Sequence, residues 1–245
     1  MVATHPVKAR PRNGGLDASL VAPEVFQRVF GLDAVATTEV LLIRHAHHEW
    51  RGPTSNGDLG DPHLSEKGRQ QALRLAQRLR SQHIDAVYSS TLRRAIETAA
   101  LVAAAKDLPV VRVSNLREVE YKGVAQPLNG NGHVDWERRA QEATLRFLDH
   151  PRWDSLPGYE PSERFRLRVA YAMEAIIAAH PGQRLVVVTH GGVINAYLSM
   201  VLDIPRDMFF LAENTSISAV RAVGGFYSIG YLNDASHLQP AFAPS

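Results

Sequence analysis

Two short apolar runs constrain the fold of this chain more than any other feature of its sequence. Val40 to Ile43 and Leu185 to Val188 each hold four consecutive branched aliphatic residues. That length and composition are typical of a strand buried on both faces. Such strands occur in mostly parallel sheets that helices cover on both sides. The pattern therefore predicts an α/β fold with both runs as strands of its central sheet.

The other predicted elements alternate along the chain as such a fold requires. Strands are predicted at Glu39–Arg44, Ala86–Ser89, Val110–Val113, Leu185–Thr189, Ser216–Val223 and Phe226–Leu232. Helices are predicted at Ser65–Gln82, Thr91–Ala105, Val134–Asp149, Glu163–His180 and Gly191–Leu202. Gly224-Gly225 is a two-residue hairpin signal between the last two strands. We expect a three-layer sandwich, with a mostly parallel central sheet flanked by helices and a C-terminal antiparallel hairpin.

The chain is predicted to form a single domain, because no internal repeat or convincing linker divides it. Residues 1–18, rich in proline, glycine and basic residues, are expected to be a disordered N-terminal tail, and residues 19–245 the domain. The alternation of strand and helix signals becomes irregular at about 115–161, and we interpret this stretch as an insertion near the active site. Ala22–Leu32 has one apolar face and could pack on the domain or join two subunits in a homodimer.

The composition excludes several classes of function. The chain contains no cysteine, which rules out disulfides, thiolate zinc sites and thiol nucleophiles and fits a cytoplasmic location. Its formal charge is only +2, and its arginines form no basic stripe with interleaved aromatic residues, so nucleic-acid binding is not expected. No apolar run approaches the ~18 residues of a membrane span, and no signal peptide is evident.

Both apolar runs end in residues suited to chemistry. Arg44 and His45 directly follow the first run. His190 follows the second run after one intervening residue, Thr189. In an open α/β sheet, ligands bind beyond the carboxyl ends of the strands, so these side chains are expected to meet there. Two further polar segments lie at or just beyond predicted strand ends, Ser89–Arg94 and Leu116–Glu118. The glycines after His190 allow a tight turn into a helix whose N-terminus favours an anion.

Together these segments resemble the histidine phosphatase superfamily, also called the phosphoglycerate mutase-like family. The resemblance extends over about 39–238 and rests on six ordered motifs. They are R-H-A-H-H-E-W, P-H-L-S-E-K-G-R-Q-Q-A, S-S-T-L-R-R-A-I-E-T-A, L-R-E, V-V-V-T-H-G-G-V-I and E-N-T-S-I-S. The resemblance implies a phosphomonoester hydrolase that uses a phosphohistidine intermediate.

The resemblance also implies a role for each residue that matches a motif. His45 is expected to be the nucleophile that becomes phosphorylated, and Glu118 the general acid and base. Arg44, Arg94 and His190 are expected to form the phosphate pocket, with His190 also part of the catalytic set. A neutral imidazole suits this reaction because it does not repel a phosphate dianion, and neighbouring arginines lower its pKa. No metal or cofactor is required, and the expected partner is a small phosphorylated substrate.

Besides a mild change at Ala46, where glycine is usual, two positions in or just after the first motif depart from the family pattern. His48 stands where Thr or Ser is usual, and Arg51 stands where Asn is usual. Both side chains can donate to phosphate, or they can point away and leave a weakened pocket. Because Val119–Val124 also differs from the family pattern, the sequence does not identify the phosphomonoester.

Hydrolysis is favoured over mutase activity by the length of the insertion. Glu118 and His190 are 72 residues apart in the numbering, and cofactor-dependent mutases of the family tend to have a longer insertion. A cofactor-dependent phosphoglycerate mutase is the first alternative. A weakly active member that binds a phosphorylated ligand is the second, and the substitutions in the first motif favour it.

A metallohydrolase is a third alternative, because three histidines lie close together in the sequence. His45, His47 and His48 come near the H-x-H-x-D-H pattern of dinuclear zinc enzymes. Glu49 replaces the aspartate, however, and Trp50 replaces the last histidine and cannot bind a metal. The first motif therefore fits a metal site poorly.

Overall fold

The structure is a computed structural model that describes residues 37–49, 61–121 and 136–239, and only the backbone of residues 136–140. The expectations for the tail, for Ala22–Leu32 and for Arg51 fall outside these residues.

Six strands of the described chain form one sheet. They are β1 (Thr38–Arg44), β2 (Ala86–Ser90), β3 (Val110–Val113), β4 (Arg184–Thr189), β5 (Ile217–Val223) and β6 (Phe226–Asp234). Their spatial order is β3-β2-β4-β1-β5-β6, and the pairings are parallel from β3 to β1 and antiparallel from β1 to β6. The two apolar runs are neighbours, since Val40 pairs with Leu185 and Arg44 with Thr189. The predicted central sheet is confirmed.

Helices cover both faces of this sheet. They are α1 (Glu66–Leu79), α2 (Arg93–Ala104), α3 (Trp136–Asp149), α4 (Ser162–Ala178) and α5 (Gly191–Leu202). Leu41 and Ile43 pack with α1 and α2, whereas Val40 and Leu42 pack with α4 and α5. Alternate residues of β1 thus enter two separate cores, which confirms the three-layer sandwich. No helix in the described ranges is long and apolar enough to cross a membrane.

The C-terminal hairpin forms where the glycine pair predicts it. Gly224 and Gly225 have φ angles of 55° and 82°, and a two-residue turn of this kind needs positive φ at both positions. A Cβ at either position would meet nothing within 4 Å, so the requirement is conformational. The turn returns β6 along β5, which itself lies antiparallel to β1.

Helix ends differ from the sequence prediction most clearly at α1. The helix ends at Leu79 and not at Gln82. The amides of Arg80 and Gln82 bond to carbonyls three residues earlier, at 3.2 and 3.0 Å, which is the tighter geometry that often closes a helix.

Candidate active site

Neighbouring parallel strands bring two histidines together at the carboxyl edge of the sheet. The His45 amide donates to the Thr189 carbonyl at 2.9 Å, which continues the pairing of β1 and β4 by one residue. As a result the ring centroids of His45 and His190 are 5.1 Å apart. Their exposed fractions are 3% and 0%. The structure therefore places both histidines in one buried site, where the sequence predicts them.

Hydrogen bonding fixes which ring nitrogen of His45 is available. Its Nδ1 is 2.8 Å from the Ala46 carbonyl, which can only accept, so Nδ1 carries the proton. Nε2 therefore keeps its lone pair, and Arg94 Nε donates to it at 3.2 Å. Burial, followed by the charge of Arg94 and more weakly that of Arg44, holds the pKa of His45 well below its usual 6.5. His45 is thus a neutral imidazole with an unprotonated Nε2.

The backbone around His45 is held by hydrogen bonds from two other segments. Asn214 donates to the His45 carbonyl at 2.9 Å. Thr98 of α2 accepts from the Ala46 amide at 3.0 Å, and Thr215 donates its amide to the Arg44 carbonyl at 2.9 Å. The sequence gives these residues no role, although Asn214 and Thr98 lie in quoted motifs. These bonds set the direction in which the His45 ring leaves the sheet.

His190 has one occupied and one unoccupied ring nitrogen. Its Nε2 is 2.8 Å from the hydroxyl of Ser90, the last residue of β2. Its Nδ1 is buried and has no hydrogen-bond partner in the described part of the chain. Burial, then the neighbouring His45 and Arg94, hold the pKa of His190 well below 6.5. When Ser90 donates to Nε2, the proton resides on Nδ1, which is then a donor for a ligand.

Two guanidinium groups border the histidines. Arg44 Nη1 donates to the Ala212 carbonyl at 2.6 Å, while its buried Nε has no partner within the described ranges. The Arg94 side chain is 11% exposed and its Nη1 lies 3.9 Å from Asp61. Burial lowers the pKa of both arginines, and the negative charge of Glu118 opposes that shift. Two cations in a poorly solvated site attract a phosphate dianion more strongly than exposed cations would.

Glu118 lies against the N-terminus of α5. Its Oε2 accepts from the Gly192 amide at 3.1 Å, and its Oε1 accepts from the Val119 amide at 3.0 Å. A Cβ on Gly192 would lie 2.3 Å from Glu118 Oε1, so only glycine admits the carboxylate in this place. Of the two glycines after His190, Gly192 is required for this close approach, and neither glycine has a positive φ.

Aromatic residues of the expected insertion adjoin Glu118. The ring of Trp153 stacks on that of Tyr159, with 5.6 Å between the ring centroids. The centroid of the Tyr121 ring is 5.0 Å from that of Tyr159. Trp153 also borders Gly192, and Glu118 contributes to raising the pKa of Tyr159, after burial and Tyr121. Three aromatic rings therefore line the Glu118 side of the site.

His48 also reaches the site. Its ring centroid is 5.2 Å from that of His45, and it is half-buried. Its Nδ1 is buried without a hydrogen-bond partner among the described residues, and burial followed by Arg94 lowers its pKa. Of the two residues that depart from the family pattern, His48 is therefore within reach of a ligand at His45.

The neighbouring His47 turns away from the site. Its Nδ1 is 2.7 Å from the hydroxyl of Ser65, which caps α1 by accepting from the Gly68 amide at 3.0 Å. His45, His47 and His48 therefore do not converge. No group of three histidine, aspartate or glutamate side chains suited to a metal ion occurs in the described part of the chain. This geometry offers no support for the metallohydrolase alternative.

Comparisons with known proteins agree with this arrangement. The family model described as "Histidine phosphatase superfamily (branch 1)" matches residues 40–235. "Phosphoglycerate mutase-like protein 4" of Arabidopsis thaliana is 33% identical, over 86% of this chain and 91% of its own. "Phosphoserine phosphatase 1" of Hydrogenobacter thermophilus is 31% identical, over 82% and 94%. Among solved structures, Bacillus stearothermophilus YhfR aligns with a TM-score of 0.69 at 28% identity, covering 82% of this chain and 100% of that one.

Proposed function

The chain belongs to the histidine phosphatase superfamily, and from that membership we propose that it hydrolyses small phosphomonoesters through a phosphohistidine on His45. The observation that carries the proposal is the state of the His45 ring. The ring is buried and neutral, its proton is fixed on Nδ1, and its unprotonated Nε2 accepts a hydrogen bond from the Arg94 guanidinium. An imidazole in that state is a nucleophile that a phosphate dianion does not repel.

In the first half-reaction, the Nε2 lone pair of His45 forms a bond to phosphorus while the bond from phosphorus to the leaving oxygen breaks. Protonated Glu118 gives its proton to that oxygen, so the product is a neutral alcohol. Arg44, Arg94 and the Nδ1–H of His190 stabilise the charge on the equatorial oxygens of the transferring group. The unpartnered Arg44 Nε and His190 Nδ1 support this assignment.

In the second half-reaction, water attacks the phosphorus and the bond to Nε2 breaks. The Glu118 carboxylate takes a proton from that water, inorganic phosphate leaves, and the lone pair returns to His45. Microscopic reversibility is satisfied because the same carboxyl acts as acid in one step and as base in the other.

Phosphoserine is the substrate we propose to test first. Two relatives at 31% identity carry that substrate in their names, one from Hydrogenobacter thermophilus and one from Arabidopsis thaliana. Arg117 supports it: its Nη1 donates to Thr91 at 3.3 Å, next to the Ser90 that bonds to His190, and a third guanidinium there can pair with a substrate carboxylate. Tyr121, Trp153 and Tyr159 are proposed to contact the leaving group on the Glu118 side.

Phosphate release from phosphoserine, p-nitrophenyl phosphate and 3-phosphoglycerate tests the function directly. We expect turnover of at least one ester, undiminished in EDTA and lost in His45→Ala. Folded protein that releases no phosphate from any ester between mildly acidic and mildly basic pH would contradict hydrolysis and favour the binding role.

A phosphoglycerate mutase is the second candidate, favoured by the name of the Arabidopsis relative at 33% identity. The two functions share the phosphohistidine and differ in what accepts the phosphoryl group. Isomerisation of 3-phosphoglycerate that is stimulated by 2,3-bisphosphoglycerate and exceeds phosphate release would replace our proposal.

A cytoplasmic location, a homodimer and the single-domain arrangement with its insertion are further parts of the proposal. Light scattering of the full chain, compared with a chain truncated before residue 37, tests whether the N-terminal residues join two subunits.

A further inference from the structure

Arg168 of α4 holds the backbone of the segment that carries Glu118. Its guanidinium donates to the carbonyls of three residues, Asn115 at 2.8 Å, Arg117 at 2.7 Å and Glu118 at 3.0 Å. The arginine side chain is only 15% exposed. Arg168 and Glu118 are 50 positions apart in the chain. These contacts give Arg168 a more specific role than general support of the fold.

A buried carboxylate, Glu160, binds Arg168 from the other side, and we call these two residues together the clamp. Glu160 is 2% exposed, and its Oε2 accepts from Arg168 Nη2 at 2.8 Å. The Glu160 amide donates to the Glu120 carbonyl at 2.8 Å, and the Glu120 amide donates back to the Glu160 carboxylate at 3.4 Å. The clamp thus grips the backbone at Glu118 itself and two residues beyond it.

The clamp matters because Glu118 belongs to no helix or strand. The segment leaves a short 3₁₀ turn at Leu116, whose carbonyl accepts from the Thr189 hydroxyl at 2.8 Å. The next regular pairing is the isolated bridge from Tyr121 to Tyr159. Between these points no sheet ladder fixes the backbone, which is held by the bonds from Arg168 and Glu160.

We propose that Arg168 is a positioning residue for the reaction: it sets the place of the Glu118 carboxyl relative to the leaving oxygen. The inference rests on the proposed function, in which Glu118 protonates that oxygen. The hydrogen bonds of Arg168 go to backbone carbonyls and to Glu160, so its proposed role is indirect. Since a misplacement of about 1 Å can cost on the order of 100-fold in rate, the effect of losing this clamp is measurable.

The leaving group of the substrate distinguishes positioning from a purely structural role. An alkoxide leaves poorly and needs a proton, whereas p-nitrophenolate leaves well without one. A displaced Glu118 should therefore slow alkyl phosphates and spare p-nitrophenyl phosphate. General damage to the fold would slow both esters alike.

The experiment compares kcat and KM of wild type, Arg168→Lys and Arg168→Met on one alkyl phosphate and a series of aryl phosphates. We expect both variants to lose roughly 10- to 100-fold in kcat on the alkyl ester and less than about 3-fold on p-nitrophenyl phosphate. Lysine should fail to rescue, because a single ammonium cannot reach three carbonyls and a carboxylate together.

Arg166 offers a matched control two residues earlier on α4. It pairs with buried Asp207 at 2.6 Å and donates to the Arg206 carbonyl at 2.6 Å. Asp207 also accepts from the Trp153 amide at 2.8 Å, so loss of Arg166 can raise KM through Trp153, but it removes no bond to the Glu118 backbone. Arg166→Met should lower the thermal midpoint about as much as Arg168→Met while leaving the alkyl-to-aryl ratio at the wild-type value.

Glu160→Gln keeps the inference testable if the arginine variants fold poorly, because it weakens the same clamp at nearly constant shape. It should shift the alkyl-to-aryl ratio in the same direction and by less. Equal losses on all esters, or the same selective loss in Arg166→Met, would overturn the positioning role alone. Wild type without any phosphatase activity would instead overturn the proposed function, and the inference with it.

Discussion

The two halves of the candidate site are held in different ways. On the nucleophile side, His45 and His190 extend β1 and β4, and the backbone pairing of those strands fixes their separation. On the acid side, Glu118 lies outside regular structure and depends on bonds from Arg168 and Gly192. Backbone ladders survive most side-chain substitutions, whereas a side-chain clamp does not. The nucleophile should therefore tolerate distant substitutions, and the acid should be sensitive to them.

Loss of the nucleophile has the largest expected effect. His45→Ala removes the only atom proposed to bond to phosphorus, so turnover should fall by about 10³-fold or more on every ester. Steady-state phosphate release measures it, and a thermal midpoint no lower than that of Arg166→Met, which is expected to remain active, identifies the loss as chemical. Residual activity near the wild-type level would break the assignment of this half of the site.

Loss of the acid should be selective. Glu118→Gln keeps the shape of the side chain but cannot exchange a proton, so kcat on an alkyl phosphate should fall by about 10²- to 10³-fold. On p-nitrophenyl phosphate the fall should be much smaller, because that leaving group needs no proton. The ratio of the two losses is the readout, and equal losses would mean that Glu118 is not the acid.

Steric displacement of Glu118 should have an intermediate effect. Gly192→Ala places a methyl group where the carboxylate lies, at 2.3 Å from Oε1, and overpacking of this kind costs about 1–3 kcal/mol of stability. We expect roughly a 10-fold loss on alkyl esters. Gly191→Ala is the control, since its Cβ would make only ordinary contacts of 3.9 Å with Arg44. Similar kinetics in both variants would show that Glu118 is less tightly held than the contacts indicate.

The smallest effect is on stability as a function of pH. His45 and His190 have pKa values well below 6.5 in the folded chain, and burial lowers that of His237 to about 4. At a pH between the folded and unfolded pKa values of a group, the unfolded chain binds more protons than the folded chain. The contribution of these histidines to the free energy of unfolding is therefore complete above pH 6.5 and decreases as the pH falls below it. Each group can contribute up to about 1.4 kcal/mol per pH unit.

Chemical denaturation between about pH 7 and pH 5 measures this dependence. His237→Asn removes the contribution from outside the site, and His190→Gln removes one from within it. Asp234, with a pKa of about 2, acts only in more acidic solution. A free energy of unfolding that stays constant or rises on acidification would show that the buried histidines are not held neutral.

The same contrast explains what the sequence predicts and what it does not. The apolar runs before His45 and His190 have a strand pattern, and parallel strands end at one edge, so this half follows from periodicity and topology. The Glu118 backbone is held by a hydrogen bond from Arg168, 50 positions away in the chain, and no local sequence pattern predicts a contact over that separation. Ser90 and Asn214 lie in recognised motifs, but their bonds to the two histidines depend on side-chain orientation.

Trapping the covalent intermediate tests the central claim most directly. Wild-type protein mixed with a turned-over phosphomonoester and quenched in base should carry one phosphoryl group on His45 that is lost in acid and absent from His45→Asn. The buried ring and its unprotonated Nε2 predict that single site. Turnover without any label on His45, or with the label on another residue, would contradict the account.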